Sequence, residues 1–115
     1  MPGKRGATKL RVMYGDEIAI GPGKSDLLEA IAETGSIAES ARRLGRSYRR
    51  AWLLVDTMNR CFREPVVASA TGGTGGGGAQ VTPFGRQVLA RYHAMLKRVD
   101  RALDPELAVF TRLLK

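Results

Sequence analysis

The stretch that decides the fold is Gly35-Ser36-Ile37-Ala38-Glu39-Ser40-Ala41-Arg42-Arg43-Leu44-Gly45-Arg46-Ser47-Tyr48-Arg49-Arg50-Ala51-Trp52. Gly35 ends one helix and Ser36 caps the next, with Glu39 three residues on completing a capping-box pattern. Ile37, Ala41 and Leu44 recur at helical steps, so this second helix buries one face. Gly45 stops it. Ser47 caps a third helix running to about Phe62, with Ala51, Trp52, Val55, Met58 and Phe62 as its expected apolar stripe. Two short helices joined by a few residues containing glycine make a helix-turn-helix, and small Ala38 and Ala41 let them cross closely.

Upstream, Leu10, Val12 and Tyr14 alternate with Arg11 and Met13. Gly15-Asp16-Glu17 turns the chain, and Ile18 and Ile20 alternate again, which reads as a short β-hairpin. Gly21-Pro22-Gly23 precedes a first helix over about 24–34, with Leu27, Leu28 and Ile31 on one face. Downstream, Val66–Ser69 and Ala79–Thr82 are strand candidates flanking Gly72-Gly73-Thr74-Gly75-Gly76-Gly77-Gly78, and together they make a wing. Thr82 caps a long last helix with Pro83 at its first position. That helix is expected to stop near Asp104, where Pro105 interrupts it. The expected division is a flexible basic arm at 1–9, a winged helix-turn-helix at 10–104, its last helix over about 83–104, and a short helical tail at 105–115. The fold class is mainly α with small β.

The 115 residues carry a net charge of +8 and are 43% hydrophobic, which fits one folded domain with a basic surface. The charge is uneven. Arg42, Arg43, Arg46, Arg49 and Arg50 fall within nine residues, with no acid between Ala41 and Val55, whereas Asp16 to Glu39 holds six acids. A basic face of this kind attracts polyanions. With Ala51, Trp52 and Val55 inward, the first turn of the third helix is presented outward, the part that enters a major groove in helix-turn-helix proteins. Arg49 and Arg50 are expected on bases or adjacent phosphates, since arginine can bond guanine O6 and N7 together. Ser36, Arg46, Ser47 and Tyr48 are expected on phosphates. Thr71, Gly72, Gly73, Thr74 and Gly75 are expected to bring backbone amides to the duplex from a mobile loop tip that orders on DNA.

The glycine run also fits G-x-G-x-x-G, but Ala79-Gln80-Val81-Thr82-Pro83 returns to a strand rather than opening a helix directly, so dinucleotide binding is not implied. Leu89, Tyr92, Leu96, Val99 and Leu103 form an a/d seam on the last helix, expected to be a homodimer interface that sets two recognition helices on a palindromic operator. Cys61 is expected as a buried free thiol, and His93 as an exposed helix residue. No catalytic constellation, metal site or cofactor motif is present, so an enzyme is not expected. No apolar run approaches the ~20 residues of a membrane span, and the cytoplasm is the expected location.

From Leu27 to about Leu96 the chain resembles the DNA-binding half of ModE-type molybdate-responsive transcriptional regulators. The residues that carry the resemblance are Leu27-Leu28-Glu29-Ala30-Ile31, Thr34-Gly35-Ser36-Ile37, Ser47-Tyr48 with Ala51-Trp52, Met58-Asn59, Ala70-Thr71-Gly72-Gly73 with Gly75 through Ala79, and Leu89-Ala90-Arg91-Tyr92. A more distant likeness extends to LysR-type helix-turn-helix domains. The resemblance implies a dimeric winged helix-turn-helix with Ser47–Arg50 at the start of the recognition helix. Family members carry carboxy-terminal molybdate- or tungstate-binding modules, and no such module is read before Lys115. The function expected is therefore a sequence-specific double-stranded DNA-binding transcriptional regulator without that module. The alternative is an oxyanion-binding or sensing protein that uses the glycine loop as an anion nest.

Overall fold

A computed structural model of the chain describes residues 8–70 and 78–115. Strands β1 (Val12–Tyr14) and β2 (Glu17–Ile20) pair antiparallel, with Met13 opposite Ile18 and Tyr14 opposite Glu17. Gly15 takes φ +61° in the turn, a left-handed conformation that side chains resist. Helices α1 (Pro22–Thr34), α2 (Ile37–Arg43) and α3 (Tyr48–Cys61) follow, then strands β3 (Val67–Ala70) and β4 (Gly78–Val81), and helix α4 (Pro83–Thr111). The described chain is mostly helical, with two small antiparallel hairpins.

The α1 face expected from periodicity is the centre of the core: Leu27, Leu28 and Ile31 are fully buried. Ala41 of α2 and Ala51, Val55 and Met58 of α3 close over it, with Val66, Val67, Ala79 and Val81 from the second hairpin. Ser36 caps α2 by accepting from the Glu39 amide at 3.0 Å. The reciprocal half of the capping box is absent. The Glu39 carboxylate pairs with Arg42 at 3.0 Å, while the Ser36 amide donates to Thr34 Oγ1. Gly35 and Gly45 both adopt the left-handed conformation that ends a helix.

The second hairpin is fastened on both edges. Ala79 N donates to Gly35 O in the α1–α2 turn at 3.0 Å. On the other edge the Asn59 carboxamide accepts from Val66 N (2.8 Å) and Val67 N (3.3 Å) and donates to Val67 O (3.1 Å). Gly85 in the first turn of α4 lies against this hairpin so closely that an added Cβ would sit 2.2 Å from Val66 O.

Two expectations about α4 are corrected. The helix does not stop at Asp104 but continues through Pro105 to Thr111. Proline removes one backbone donor, yet the carbonyl it leaves behind belongs to exposed Arg101 and can be met by water, and the φ of proline is itself helical. Tyr92, expected in a dimer seam, is a core residue only 1% exposed. Its hydroxyl donates to Leu10 O at 2.7 Å, tying the start of the first hairpin to α4. Leu89 and Leu96 are half-buried against the same core, Val99 is half-buried as well, and the stripe becomes exposed at Leu103. No helix among the described residues is long and apolar enough to cross a membrane.

Candidate anion-binding site

The structure divides the arginine cluster. Arg42 and Arg43 are held by acids, Glu39 at 3.0 Å and Glu33 at 2.6 Å. Arg49 and Arg50, exposed on the first turn of α3, form no ion pair among the described residues. Ser47 Oγ accepts from the Arg50 amide at 3.1 Å and caps α3, and Ser36 caps α2, so both hydroxyls expected on phosphates already serve as helix caps. Tyr48 is exposed. Thr71, Gly72, Gly73, Thr74 and Gly75, and most of the expected arm, lie outside the described residues.

Arg46, also expected on phosphates, precedes α3 and is half-buried. The turn after Gly45 aims it at the amino terminus of α1, where Nη1 donates to Gly23 O at 3.2 Å. There it borders an open cleft of about 400 Å³ with Lys9, Arg11, Lys24 and Arg50, five cations against one carboxylate, Asp26. Lys24 is 8% exposed, and among the described residues it has no hydrogen-bond or ion-pair partner. Burial lowers its pKa below the ordinary lysine value. Cys61 and Glu17 oppose that shift, and Arg50 reinforces it.

Helix α1 adds to the imbalance. Its N-cap, Gly21, has no side chain to accept a bond, and its first turn contains no acid. An uncapped helix start presents unshared amide donors and a partial positive charge. No buried side-chain nitrogen or oxygen among the described residues lacks a partner, so the Lys24 ammonium reaches water in the cleft; with Arg46 it gives that end a positive field that favours an entering anion.

None of this is legible in the sequence, where Lys24 stands as an ordinary helix-start residue. The available signal was Gly21-Pro22-Gly23-Lys24, a helix start with neither cap nor acid. Other side chains also differ from expectation. Trp52, assigned to the α3 stripe, is 47% exposed, because the residues facing it across the hairpin are small. Cys61 is a half-buried free thiol. His93 Nε2 lies 3.1 Å from Glu29 Oε1, so it has an acidic neighbour on α1. Among the described residues no group of His, Cys, Asp and Glu side chains could hold a metal ion.

No family model matches the chain. It is 39% identical over 102 residues, 85% of its length, to the molybdenum transport protein ModE of Azotobacter vinelandii, of which it covers 38%. It is 46% identical over 78 residues, 68% of its length, to the molybdenum-pterin-binding protein MopB of Rhodobacter capsulatus, of which it covers 29%. It is 37% identical over 83 residues, 72% of its length, to the DNA-binding transcriptional dual regulator ModE of Escherichia coli, of which it covers 32%. The homologues are thus ModE and Mop proteins, and the chain spans about a third of their length. None of these names is that of an enzyme. The likeness to LysR-type domains gains no support from them.

These relatives correct the functional expectation. A sequence-specific double-stranded DNA-binding regulator without a molybdenum ligand does not account for 46% and 42% identity to two proteins named for binding molybdenum-pterin. The oxyanion-binding alternative agrees with them better. The regulators among the relatives are consistent with DNA as a partner.

Proposed function

We propose that this chain is an oxyanion-binding protein of the ModE and Mop kind, with molybdate as the leading ligand. The observation that carries this reading is Lys24, 8% exposed and without a hydrogen-bond or ion-pair partner among the described residues, in a cleft of five cations at an uncapped helix start. A tetrahedral dianion there would accept from the Lys24 ammonium, the Arg46 guanidinium and the first amides of α1. Hydrogen bonds to charged groups contribute about 1.5–3 kcal/mol each. The cleft replaces the glycine loop as the proposed anion site.

The same reading takes α2, α3 and the β3–β4 hairpin as a winged helix-turn-helix and keeps DNA as a partner to be tested. It also takes the outer half of α4, from Val99 and Leu103 onward, as the surface for a second copy of the chain. Exposed Phe110, two turns beyond Leu103, extends that apolar edge.

Calorimetric titration of the full chain with molybdate, tungstate, phosphate and sulfate tests the ligand. Saturable binding is expected, weakened about tenfold or more by Lys24→Met, the equivalent of one lost charged hydrogen bond. Absence of saturable binding for all four oxyanions would overturn the reading. Parallel titration with duplex DNA at several salt concentrations tests the partner, since phosphate contacts give a steep salt dependence.

A further inference from the structure

A second cleft lies on the other side of α3. It measures about 360 Å³ and opens between that helix, the start of α2 and the β3–β4 hairpin. Tyr48, Trp52, Val55 and Asn59 line it from α3, spaced so that all four fall on one helix face. Tyr48 and Trp52 are 56% and 47% exposed, so this wall of the cleft is aromatic and open to solvent. The opposite wall is built from Ala68, Ser69, Gly78 and Ala79, with Ala38 at one end. Side chains this small leave a slot beside the indole instead of filling it.

The hairpin register determines which backbone groups face the slot. Thr82 N donates to Val66 O, and Ala79 N turns away from β3 to Gly35 O. Bonded pairs in an antiparallel ladder alternate. Val67 and Ser69 therefore form the non-bonded pairs with Val81 and Ala79, and their N–H and C=O groups point outward from β4. At Val67 this outward pair is already satisfied by the planar carboxamide of Asn59, which accepts from N–H and donates to C=O. Ser69 lies one step further along the same edge, and its outward N–H and C=O have no partner among the described residues, so they form an identical donor–acceptor pair beside the slot.

We propose that this slot binds a flat heteroaromatic ring bearing a lactam edge, of the purine type. The ring stacks on Trp52, and its adjacent C=O and N–H pair with Ser69 N–H and C=O as the Asn59 amide pairs with Val67. A cleft of this volume, with one aromatic wall and a few convergent polar groups, suits a small ligand. The site shares no residue with the Lys24 cleft, so it stands independently of oxyanion binding.

Trp52 is the only tryptophan, so its fluorescence reports on the slot. Inosine carries the lactam edge, and 1-methylinosine is the same ring with the N–H blocked. Titration of the full chain with inosine should give saturable quenching, and 1-methylinosine should bind about tenfold more weakly, the effect of one lost pairing bond. Ser69→Pro removes the outward donor without touching a ladder bond and should reproduce that loss. Ligand-detected NMR with Trp52→Leu, which needs no fluorescence, should show the same direction. Lys24→Met should leave inosine binding unchanged. Equal binding of inosine and 1-methylinosine, or no saturable quenching to about 10 mM, beyond the weak end of specific affinity, would overturn the proposal.

Discussion

Removing the Asn59 carboxamide should detach the second hairpin from α3. Its three bonds, at 2.8, 3.3 and 3.1 Å, satisfy backbone groups of Val66 and Val67, whose residues are 0% and 5% exposed. In Asn59→Ala those two donors and one acceptor lose their partner. An unsatisfied buried group costs about 1–3 kcal/mol. The adjoining cleft lets water reach some of them, so the total falls below three full penalties, to about 2–4 kcal/mol. A chain of 115 residues has an unfolding entropy near 0.24 kcal/mol/K at the midpoint, about 2.1 cal/mol/K per residue. The expected fall in Tm is therefore roughly 8–17 °C. Circular dichroism melts supply the Tm, and hydrogen exchange supplies the location, because the Val66 and Val67 amides should lose protection first. Asn59→Asp keeps the acceptor and loses the donor, so it should fall between the wild type and Asn59→Ala. A melt for Asn59→Ala within about 2 °C of wild type, below the shift from one lost bond, would refute the view that this side chain holds the hairpin.

Three further outcomes are expected. Gly85→Ala should destabilise by about 2 kcal/mol or more, despite the helical preference for alanine, because the new Cβ meets the backbone oxygen of Val66; an unchanged denaturant midpoint would contradict this. Tyr92→Phe should cost about 1–2 kcal/mol by orphaning Leu10 O. Burial chiefly, and Asp26 next, raise the Tyr92 pKa, so the native state retains its proton longer than the unfolded chain. That stability is complete below the ordinary tyrosine range and lost as pH rises through the raised value, so alkaline unfolding curves should be shallower for the phenylalanine variant. Lys24→Met should raise Tm at neutral pH. The lowered Lys24 pKa means that the protonated native state bears a penalty, relieved only as pH climbs from that pKa toward 10.5. A Tm that falls at neutral pH would show that the lysine stabilises the fold.

Local order was legible in the residues themselves. Gly35, Gly45, Ser36, Ser47 and Thr82 mark helix ends through backbone conformation and capping, both properties of a few neighbouring residues. The α1 stripe of Leu27, Leu28 and Ile31 and both hairpins follow from periodicity, which is equally local. The arginine-rich turn was legible as composition but not as geometry. Charge density along a sequence does not say that Arg42 and Arg43 meet acids while Arg46 turns toward another helix. Trp52 and Tyr92 show the same boundary from the apolar side. Each sits on a recognisable stripe, but whether it is covered depends on what stands opposite, small alanines in one case and the first hairpin in the other.

What the sequence determined alone is therefore the set of elements, their order and the basic character of the chain, because helix caps, turns and side-chain periods act over only a few residues. The tertiary structure decided the rest. It brought Lys24 and Arg46, twenty-two positions apart, to one uncapped helix start, and laid Asn59 along the strand edge that Ser69 continues. Such meetings depend on which faces pack together, and burial and backbone direction set them across distances that no local pattern encodes.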